Sequence, residues 1–540
     1  MPPWGRPVVN TGIAAIEDGS PPPPTFEEDG SSPPPTFEMD GVGRHTLIYG
    51  TGVLLSKALA FIMLPIYTRY LTPADYGVMG LIEMTLDVVA ILGGAQLVSG
   101  IDRFYHKAAS PEERDRVIAT SFLLLGASYS FVGALAFLFS DSLSTLVFHT
   151  AIHGNLIRLA AAGLTVQCLI VVPLAYARVR DRSKLFVGAN ALKLVIAAGL
   201  NVLFLVVLHM GVEGVFLSTV ITRVVIGGGL AVWVIRDVGF HFSWDTDTTR
   251  GLLRYGLPLV VTNIATFIAT FGDRYFLVAA AGDAQVGLYN LAYQFGFLLA
   301  VVAFLPFDQV WSPKRFEIAM RPDRDELLAK GFLYATLSLF TMGVGIALFV
   351  DDVLRVMTDP AFHGAAKLVP IILVAYVLQS WAKIQDIGIL VRERTEFITA
   401  ADWIAAGIAV LGYWLMVPRW LGLGAAVATV VAFAFRYGLT YWFSQRLWRV
   451  EYRWRPVLVS SALAVGFGVT GTFLSIGSLW VSLSVRSLLF GAYLMAVWNL
   501  GILSDEERRG FKAFLATLRS SAFARIKSLA ARRSPAAGAG

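Results

Sequence analysis

The sequence predicts an all-α integral membrane protein with about fourteen transmembrane helices, and three observations predict it. Of its 540 residues, 56% are hydrophobic and only 15% are charged, where an average soluble domain carries about a quarter. The charges fall in clusters separated by apolar stretches of about twenty residues, the length a helix needs to cross a hydrocarbon core about 30 Å thick. Those stretches are continuous rather than alternating. They therefore favour helices over a closed barrel, the other structure that satisfies its own backbone in lipid. The one cysteine, Cys168, excludes a disulfide framework or a cysteine metal site by count and reads as a packing residue. The net charge of +6 is what cytoplasmic loops of membrane proteins collect, and it does not point to nucleic acid.

Along the chain, residues 1–43 form a tail rich in Pro, Gly, Asp and Glu, with two near-copies of one segment at 22–30 and 33–41. Such a composition buries too little to fold and is expected to be disordered. Met39 stands as an alternative start, so whether residues 1–38 are translated is decided by the N-terminal mass of native protein. The tail has no apolar core for a cleavable signal peptide, and the first hydrophobic helix is expected to start insertion. Helices are predicted over 46–66, 78–99, 117–140, 155–177, 185–209, 212–235, 252–280, 284–311, 330–350, 366–390, 398–417, 421–445, 456–476 and 478–503. They divide into an N-lobe at 44–235, a C-lobe at 236–447 and two further helices at 448–503.

The connecting loops support this division. Every even loop is basic: Arg103, Lys107, Arg114 and Arg116; Arg178, Arg180, Arg182 and Lys184; Arg236, Arg250 and Arg254; Lys314, Arg315, Arg321, Arg324 and Lys330; Arg392 and Arg394; Arg446, Arg449, Arg453 and Arg455. The odd loops hold only Arg69, Arg355, Lys367 and Arg419. A missed or extra span would scramble the alternation downstream, so the number of spans is even and both termini are expected in the cytoplasm. Residues 504–540 follow as a basic tail. Phe511, Phe514, Leu515 and Leu518 share one helical face, which fits an amphipathic helix on the cytoplasmic leaflet or a solvated tail.

The chain also repeats itself. The first helix ends in Leu64-Pro-Ile-Tyr-Thr-Arg-Tyr-Leu-Thr-Pro-Ala-Asp-Tyr-Gly77. The seventh ends in Gly272-Asp-Arg-Tyr-Phe-Leu277, followed by Asp283-Ala-Gln-Val-Gly-Leu-Tyr-Asn-Leu-Ala-Tyr-Gln294. In both, a basic–aromatic helix end meets a short outer loop, and a glycine, Gly77 or Gly287, opens the next helix. Six helices separate the two sites, and an even spacing makes the halves parallel repeats. These segments resemble the Wzx-type polysaccharide flippases, the lipopolysaccharide biosynthesis proteins of the multidrug/oligosaccharidyl-lipid/polysaccharide exporter superfamily. The resemblance covers about residues 44–503 and leaves out the Pro-rich tail. It implies two six-helix lobes plus two C-terminal helices in the cytoplasmic membrane of a prokaryote. It implies a chain that flips undecaprenyl-diphosphate-linked oligosaccharide, active as a monomer, with membrane lipid, a polysaccharide polymerase and chain-length proteins as partners. Lipid II flipping and ion-coupled drug export within the same superfamily are the alternatives.

Ionisable residues at membrane depth carry the functional reading. Each costs at least about 2.5–3.5 kcal/mol at a helix centre, so each should face a cavity or a partner. The cations Lys57, Lys193, Arg223, Arg274, Lys383 and Arg436 are expected to line a cationic cavity that binds the diphosphate by alternating access; Arg486 lies outside the two lobes. The anions are Glu83, Asp87, Asp273, Asp308, Asp386 and Asp402. Glu83 and Asp87 share a helix face, where they hold a proton or a cation, line the outer vestibule, or neutralise Lys57. Asp273, the third candidate for ion coupling, precedes Arg274 and should point about 100° away from it, giving the two separate partners. Asp386 follows Lys383 by three residues and can pair with it. Arg436 and Asp402 either face the cavity or snorkel from helix ends.

Other features read as structural. Pro65, Pro173, Pro258 and Pro306 are expected to kink helices, and Gly227-Gly228-Gly229 to allow close packing. Trp311, Trp420, Tyr441 and Trp448 read as interface anchors. His149 and His153 read as a solvated pair in an outer loop. No nucleotide-binding loop, zinc-protease motif, cofactor site or metal site is present in the sequence, and no outer loop is large enough for a glycosyltransferase domain.

Overall fold

The computed structural model of the protein describes residues 63–239, 244–474, 476–502 and 507–509. The Pro-rich tail, most of the first expected helix with Lys57, and the amphipathic segment beyond 509 lie outside the described residues. Among the described residues there is no strand. Among the described residues, nine helices, or ten with one bent pair, are long and apolar enough to cross a membrane.

The elements follow the expected order with shifted ends. Residues 63–70 are helical (α1). Pro73–Leu92 (α2) continues through a 3-10 turn at Ala95–Leu97 into Val98–Lys107 (α3). Next come Pro111–Leu138 (α4), Ser140–Phe148 (α5), Gly154–Thr165 (α6), Cys168–Val179 (α7), Ser183–Asn201 (α8) and Gly211–Val238 (α9). Thr246–Phe271 (α10), Asp273–Leu299 (α11), Leu305–Ala319 (α12), Arg324–Met357 (α13) and Val369–Gln385 (α14) follow. Ile387–Val391 (α15), Glu396–Leu447 (α16), Trp454–Phe473 (α17) and Leu479–Asn499 (α18) complete the chain.

Caps explain several shifted starts. Thr72 and Asp75 form a reciprocal capping box around Pro73, so α2 begins five residues before the expected 78. Ser110 accepts from the Glu113 N–H at 3.2 Å ahead of Pro111. Asp245 caps α10 by accepting from the Thr248 N–H at 3.0 Å, and the Thr248 hydroxyl holds its carboxyl below the usual carboxylate range.

Two elements contain a reversal of the chain, and each doubles back. The Tyr289 hydroxyl donates to Asp273 at 2.5 Å, although the two are sixteen residues apart in α11. A continuous helix would separate them by about 24 Å. The reversal is Gly282, at φ +74°. In α16, Tyr413 and Thr429 meet hydroxyl to hydroxyl at 3.1 Å across Leu421, at φ +49° and ψ −129°. Gly282 falls in the loop expected between the seventh and eighth helices, and Leu421 falls at the expected start of the twelfth helix, just past the loop that follows the eleventh. A side chain at Leu421 in this region is strained, and the tight turn of the hairpin imposes it.

Helices α2 to α9 pack mainly on one another, as do α10 to α16, with α17 and α18 against α13. The most extensive crossing between the two groups joins α2 to α11. There the two repeat glycines meet backbone to backbone. A Cβ on Gly77 would lie 2.9 Å from the Gly287 nitrogen and collide with the Asp283 carbonyl oxygen. One on Gly287 would lie 3.1 Å from the Gly77 nitrogen and collide with the Pro73 carbonyl oxygen. Small residues allow such an approach where lipid provides no hydrophobic drive for helices to associate. On the side expected to be cytoplasmic the groups touch again. Phe104 packs on Gly251, Leu97 on Gly256, and Arg103 lies over the Tyr255 ring at 5.2 Å.

Some expectations fail. In the glycine triplet, only Gly227 is a close approach, against Leu169; Gly228 and Gly229 meet nothing within 4 Å. Trp311 is buried at 7% exposure against Gly331, because α12 turns it inward rather than towards an interface. The expected kink at Pro306 is a π-helical turn at Ala300–Phe304 that ends just before it.

The packing sets two glycine substitutions apart. Gly287→Ala should lower the thermal midpoint of the purified protein by the equivalent of about 1–3 kcal/mol, the usual cost of overpacking. Gly229→Ala should be neutral or slightly stabilising, since Ala gains up to about 1 kcal/mol over Gly inside a helix. Equal midpoints for the two variants would contradict the crossing.

Candidate functional site

Glu83 and Asp87 lie about three and four turns into α2, and both side chains are exposed. They face a cleft rather than a packed interior. From α9, Arg223 stands within electrostatic range of both carboxylates, though no ion pair within 4 Å joins them among the described residues. Arg223 is half-buried and fits because Gly163 of α6 has no side chain; a Cβ there would sit 3.2 Å from the Arg223 Nη1. Tyr67, Tyr76, Tyr129 and Tyr275 line the same charges. Tyr275 belongs to α11 and meets Thr85 of α2 at 3.1 Å, so the cleft is bounded by both helix groups.

Deeper in the second group lies a sealed polar network. Asp273 and Arg274 are both at 0% exposure and pair at 2.6 Å. The expectation of separate partners is therefore wrong. Both stand in the first turn of α11, where the long arginine side chain folds back to reach its neighbour. Asp273 also accepts from Tyr289, from Tyr293 at 3.2 Å and from Thr429 at 3.3 Å. Arg274 donates to Asn290 Oδ1 at 2.9 Å and to the Thr270 carbonyl at 3.0 Å, and its guanidinium stacks 3.9 Å from the Tyr293 ring centre. Neither Asp273 nor Arg274 reaches a surface that a substrate or an ion in the cleft could touch in this state.

Several of the remaining charges also pair. Arg436 and Asp402 form an ion pair at 2.5 Å between the two arms of α16, with Asp402 at 3% exposure, so neither snorkels. Asp386 pairs with Arg315 at 2.6 Å rather than with Lys383. Arg315 also donates to the Lys383 carbonyl at 2.9 Å, which the break between α14 and α15 leaves available. Lys383 itself is exposed, has no carboxylate within 4 Å among the described residues, and lies 6.0 Å from the Phe304 ring centre. Lys193 is half-buried on α8. Arg486 is anchored on α13 by Asp351 and Asp352, both at 3.3 Å.

The expected cationic cavity is thus largely neutralised. Among the described residues at this depth, Lys193, Arg223, Arg274, Arg315, Lys383 and Arg436 stand against Glu83, Asp87, Asp273, Asp308, Asp386 and Asp402. A membrane interior explains this, since an unpaired ion costs several kcal/mol there. Arg315 was counted among loop charges because the expected eighth helix ended at 311, whereas α12 continues to Ala319, and Tyr289, Asn290, Tyr293 and Thr429 were missed as partners. The signal was present for two of them: Tyr289 and Tyr293 repeat at one-turn spacing beside a buried aspartate. His153, expected to be solvated, stands 3.8 Å from Asp283 beside the Gly282 reversal. No group of three metal-ligating side chains occurs among the described residues.

Apolar spans, two hairpin reversals and charges paired at depth define a multi-pass membrane protein. Residues 42–319, more than half of the chain, match the family described as polysaccharide biosynthesis protein, and the chain belongs to it. No curated protein matches the chain. Among solved structures it is similar to a lipid II flippase MurJ in an inward closed conformation. The TM-score is 0.69 at 11% identity, over 85% of this chain and 100% of that one. It is also similar to an inward-facing multidrug resistance MATE family transporter, with a TM-score of 0.61 at 18% identity, over 72% and 94% of the two chains. A transporter of the same superfamily from Pyrococcus furiosus, described as having a binding pocket of reverse polarity, gives 0.54 at 18% identity, over 75% and 94%. These likenesses are of fold, and the fold is that of the exporter superfamily the sequence resembled.

The sealed pair should behave as one unit. Asp273→Asn or Arg274→Gln alone should destabilise the purified protein by about 3–5 kcal/mol, because each strands a buried charge. The double variant should cost clearly less than the sum, by about 0.5–3 kcal/mol in a thermal double-mutant cycle. Additive losses would contradict the pairing.

Proposed function

We propose that this protein moves a lipid-linked oligosaccharide, carried on a polyprenyl diphosphate, from the inner to the outer leaflet of a prokaryotic cytoplasmic membrane. Membership of the polysaccharide biosynthesis family supports the substrate class. The observation that carries the reading is a charged cleft accompanied by an apolar cavity in the same chain. That cavity is about 1330 Å³ and lies between α11, α13 and α18, lined by residues such as Leu298, Leu337, Met342, Phe349 and Leu494. Its charged lining residues are Lys330 and Glu507, and Glu507 accepts from Tyr334 at 3.1 Å.

The two surfaces suit the two ends of such a substrate. Lipid is as apolar as the cavity wall, so the cavity orients a prenyl chain rather than extracting it from the bilayer. The headgroup is the part that cannot cross unaided. Arg223 and Lys383, the cations least committed to carboxylates, offer charge-assisted hydrogen bonds to the diphosphate. Contacts between the helix groups at Gly77–Gly287 and at Phe104–Gly251 are the places where two sides would open in turn. No bond is made or broken in this scheme, which assigns the chain a transport role without a catalytic centre.

A second reading, export of an organic cation, draws on the exposed carboxylates Glu83 and Asp87. Proteoliposomes containing the purified protein and a fluorescent undecaprenyl-diphosphate oligosaccharide separate the two. Protein-dependent appearance of the sugar in the outer leaflet is expected, with loss in Arg223→Ala/Lys383→Ala. Efflux of an organic cation with no sugar movement would overturn the proposal.

A further inference from the structure

Phe304, at the end of the π-helical turn, shares one helical face with Asp308, Ser312 and Arg315 of α12. Contacts at both ends turn that face towards the end of α14. At one end, Arg315 donates to Asp386 at 2.6 Å and to the Lys383 carbonyl at 2.9 Å. At the other, the Lys383 ammonium lies 6.0 Å from the Phe304 ring centre. Lys383 therefore runs along the face, with its carbonyl at one end and its ammonium at the other. Asp308 and Ser312 lie between the two contacts and are half-buried. Asp308 accepts from the Ser312 hydroxyl at 2.9 Å, and no cation stands within 4 Å of it among the described residues. The exposed Lys383 thus passes Asp308 without pairing. Arg315, at 8% exposure, has no partner for its Nε among the described residues.

We propose that Asp308 and Ser312, with Lys383 opposite, form a saccharide subsite that takes a neutral sugar joined directly to the diphosphate. The inference rests on the proposed function and names the sugar class that the cleft accepts.

The physical argument concerns donors and acceptors. An ammonium only donates, and an ionised carboxylate only accepts. Lys383 therefore suits a phosphate, whereas Asp308 repels one. A ligand that satisfies both is anionic at one end and carries hydrogen-bond donors a few ångströms away. A sugar linked to phosphate through its anomeric oxygen has this form, because its next carbons carry hydroxyl or acetamido N–H groups. Those groups can donate to Asp308, whose bond from Ser312 occupies only part of its accepting capacity, and the free Arg315 Nε–H offers a donor to a sugar oxygen. Arg315 and Asp386 already neutralise each other, so the charge preference of the subsite falls to Asp308. A sugar that carries its own carboxylate would meet a like charge there. An organic cation would pair with Asp308 but meet a like charge at Lys383.

Calorimetric titration of the full-length protein with three probes tests this: farnesyl diphosphate, farnesyl diphosphate bearing N-acetylglucosamine, and the same lipid bearing glucuronic acid. The wild type should bind the N-acetylglucosamine probe roughly 10- to 100-fold tighter than the glucuronic acid probe, the scale of a charged hydrogen bond. Asp308→Asn should bind the two sugar probes alike and bind farnesyl diphosphate at least as tightly as wild type. Ser312→Ala, which leaves the carboxylate unsupported, should weaken the N-acetylglucosamine probe alone, and it carries the comparison if Asp308→Asn does not fold. Lys383→Ala should weaken all three probes. A wild type that does not distinguish the two sugars overturns the subsite and leaves the transport reading in place. So does an Asp308→Asn variant that shifts all three probes by one factor, since Asp308 would then only balance Lys383. Failure of the wild type to bind any of the three overturns both.

Discussion

The structure hangs on the contact between α2 and α11, where Gly77 and Gly287 bring two backbones together with no side chain between them. In lipid, helices gain little from burying apolar surface against each other, so close packing and polar links have to hold them. Each helix therefore arrives at the crossing already fixed. The capping box at Thr72 sets the start of α2, and the reversal at Gly282 sets the start of the second arm of α11. From that point both helices run inward and carry the cleft with them, with Glu83 and Asp87 on one side and Tyr275 and Asn290 on the other. A bulkier residue at either glycine would part the two groups where Tyr76 packs edge-on against Phe362, 5.9 Å between ring centres.

The repeat persists in the chemistry, with one difference between its halves. In the first half, the α8–α9 hairpin is tied by Ser218 donating to Asn201 at 2.5 Å and by Asn201 donating to the Tyr67 hydroxyl at 2.8 Å. In the second, the α16 hairpin is tied by Tyr413 and Thr429, and Thr429 reaches Asp273 beside Arg274. Gly211 at φ +60° and Leu421 at φ +49° stand at the corresponding reversals. One link is neutral and the other contains a sealed ion pair. A neutral link is cheap to rearrange, whereas separating Asp273 from Arg274 at membrane depth would cost several kcal/mol.

Much of this was legible in the sequence because membrane insertion writes itself into composition. Apolar length located the spans, a reading that depends on local properties alone. The repeat glycines were legible as matched helix openings, but not as the close approach they make with each other. Pairing between charges was not. Asp386 pairs with Arg315, seventy-one residues away and beyond the reach of helix-face logic, while the carbonyl of Lys383 accepts from the same arginine at the break after α14. Asp273 and Arg274 defeated the angular argument because side-chain length outweighs the helical twist in a first turn. Trp311 looked like an interface anchor and is core, because a neighbouring glycine, Gly331, leaves a socket for its ring.

The proposed transport requires the two helix groups to part at the Gly77–Gly287 crossing. Spin labels at Ile152→Cys and Ala361→Cys, both exposed outside the crossing, report that separation by pulsed electron resonance once Cys168 is replaced. One narrow distance in empty protein should give way to a second, longer distance when farnesyl diphosphate is added. A single distance that the probe does not alter would contradict the account.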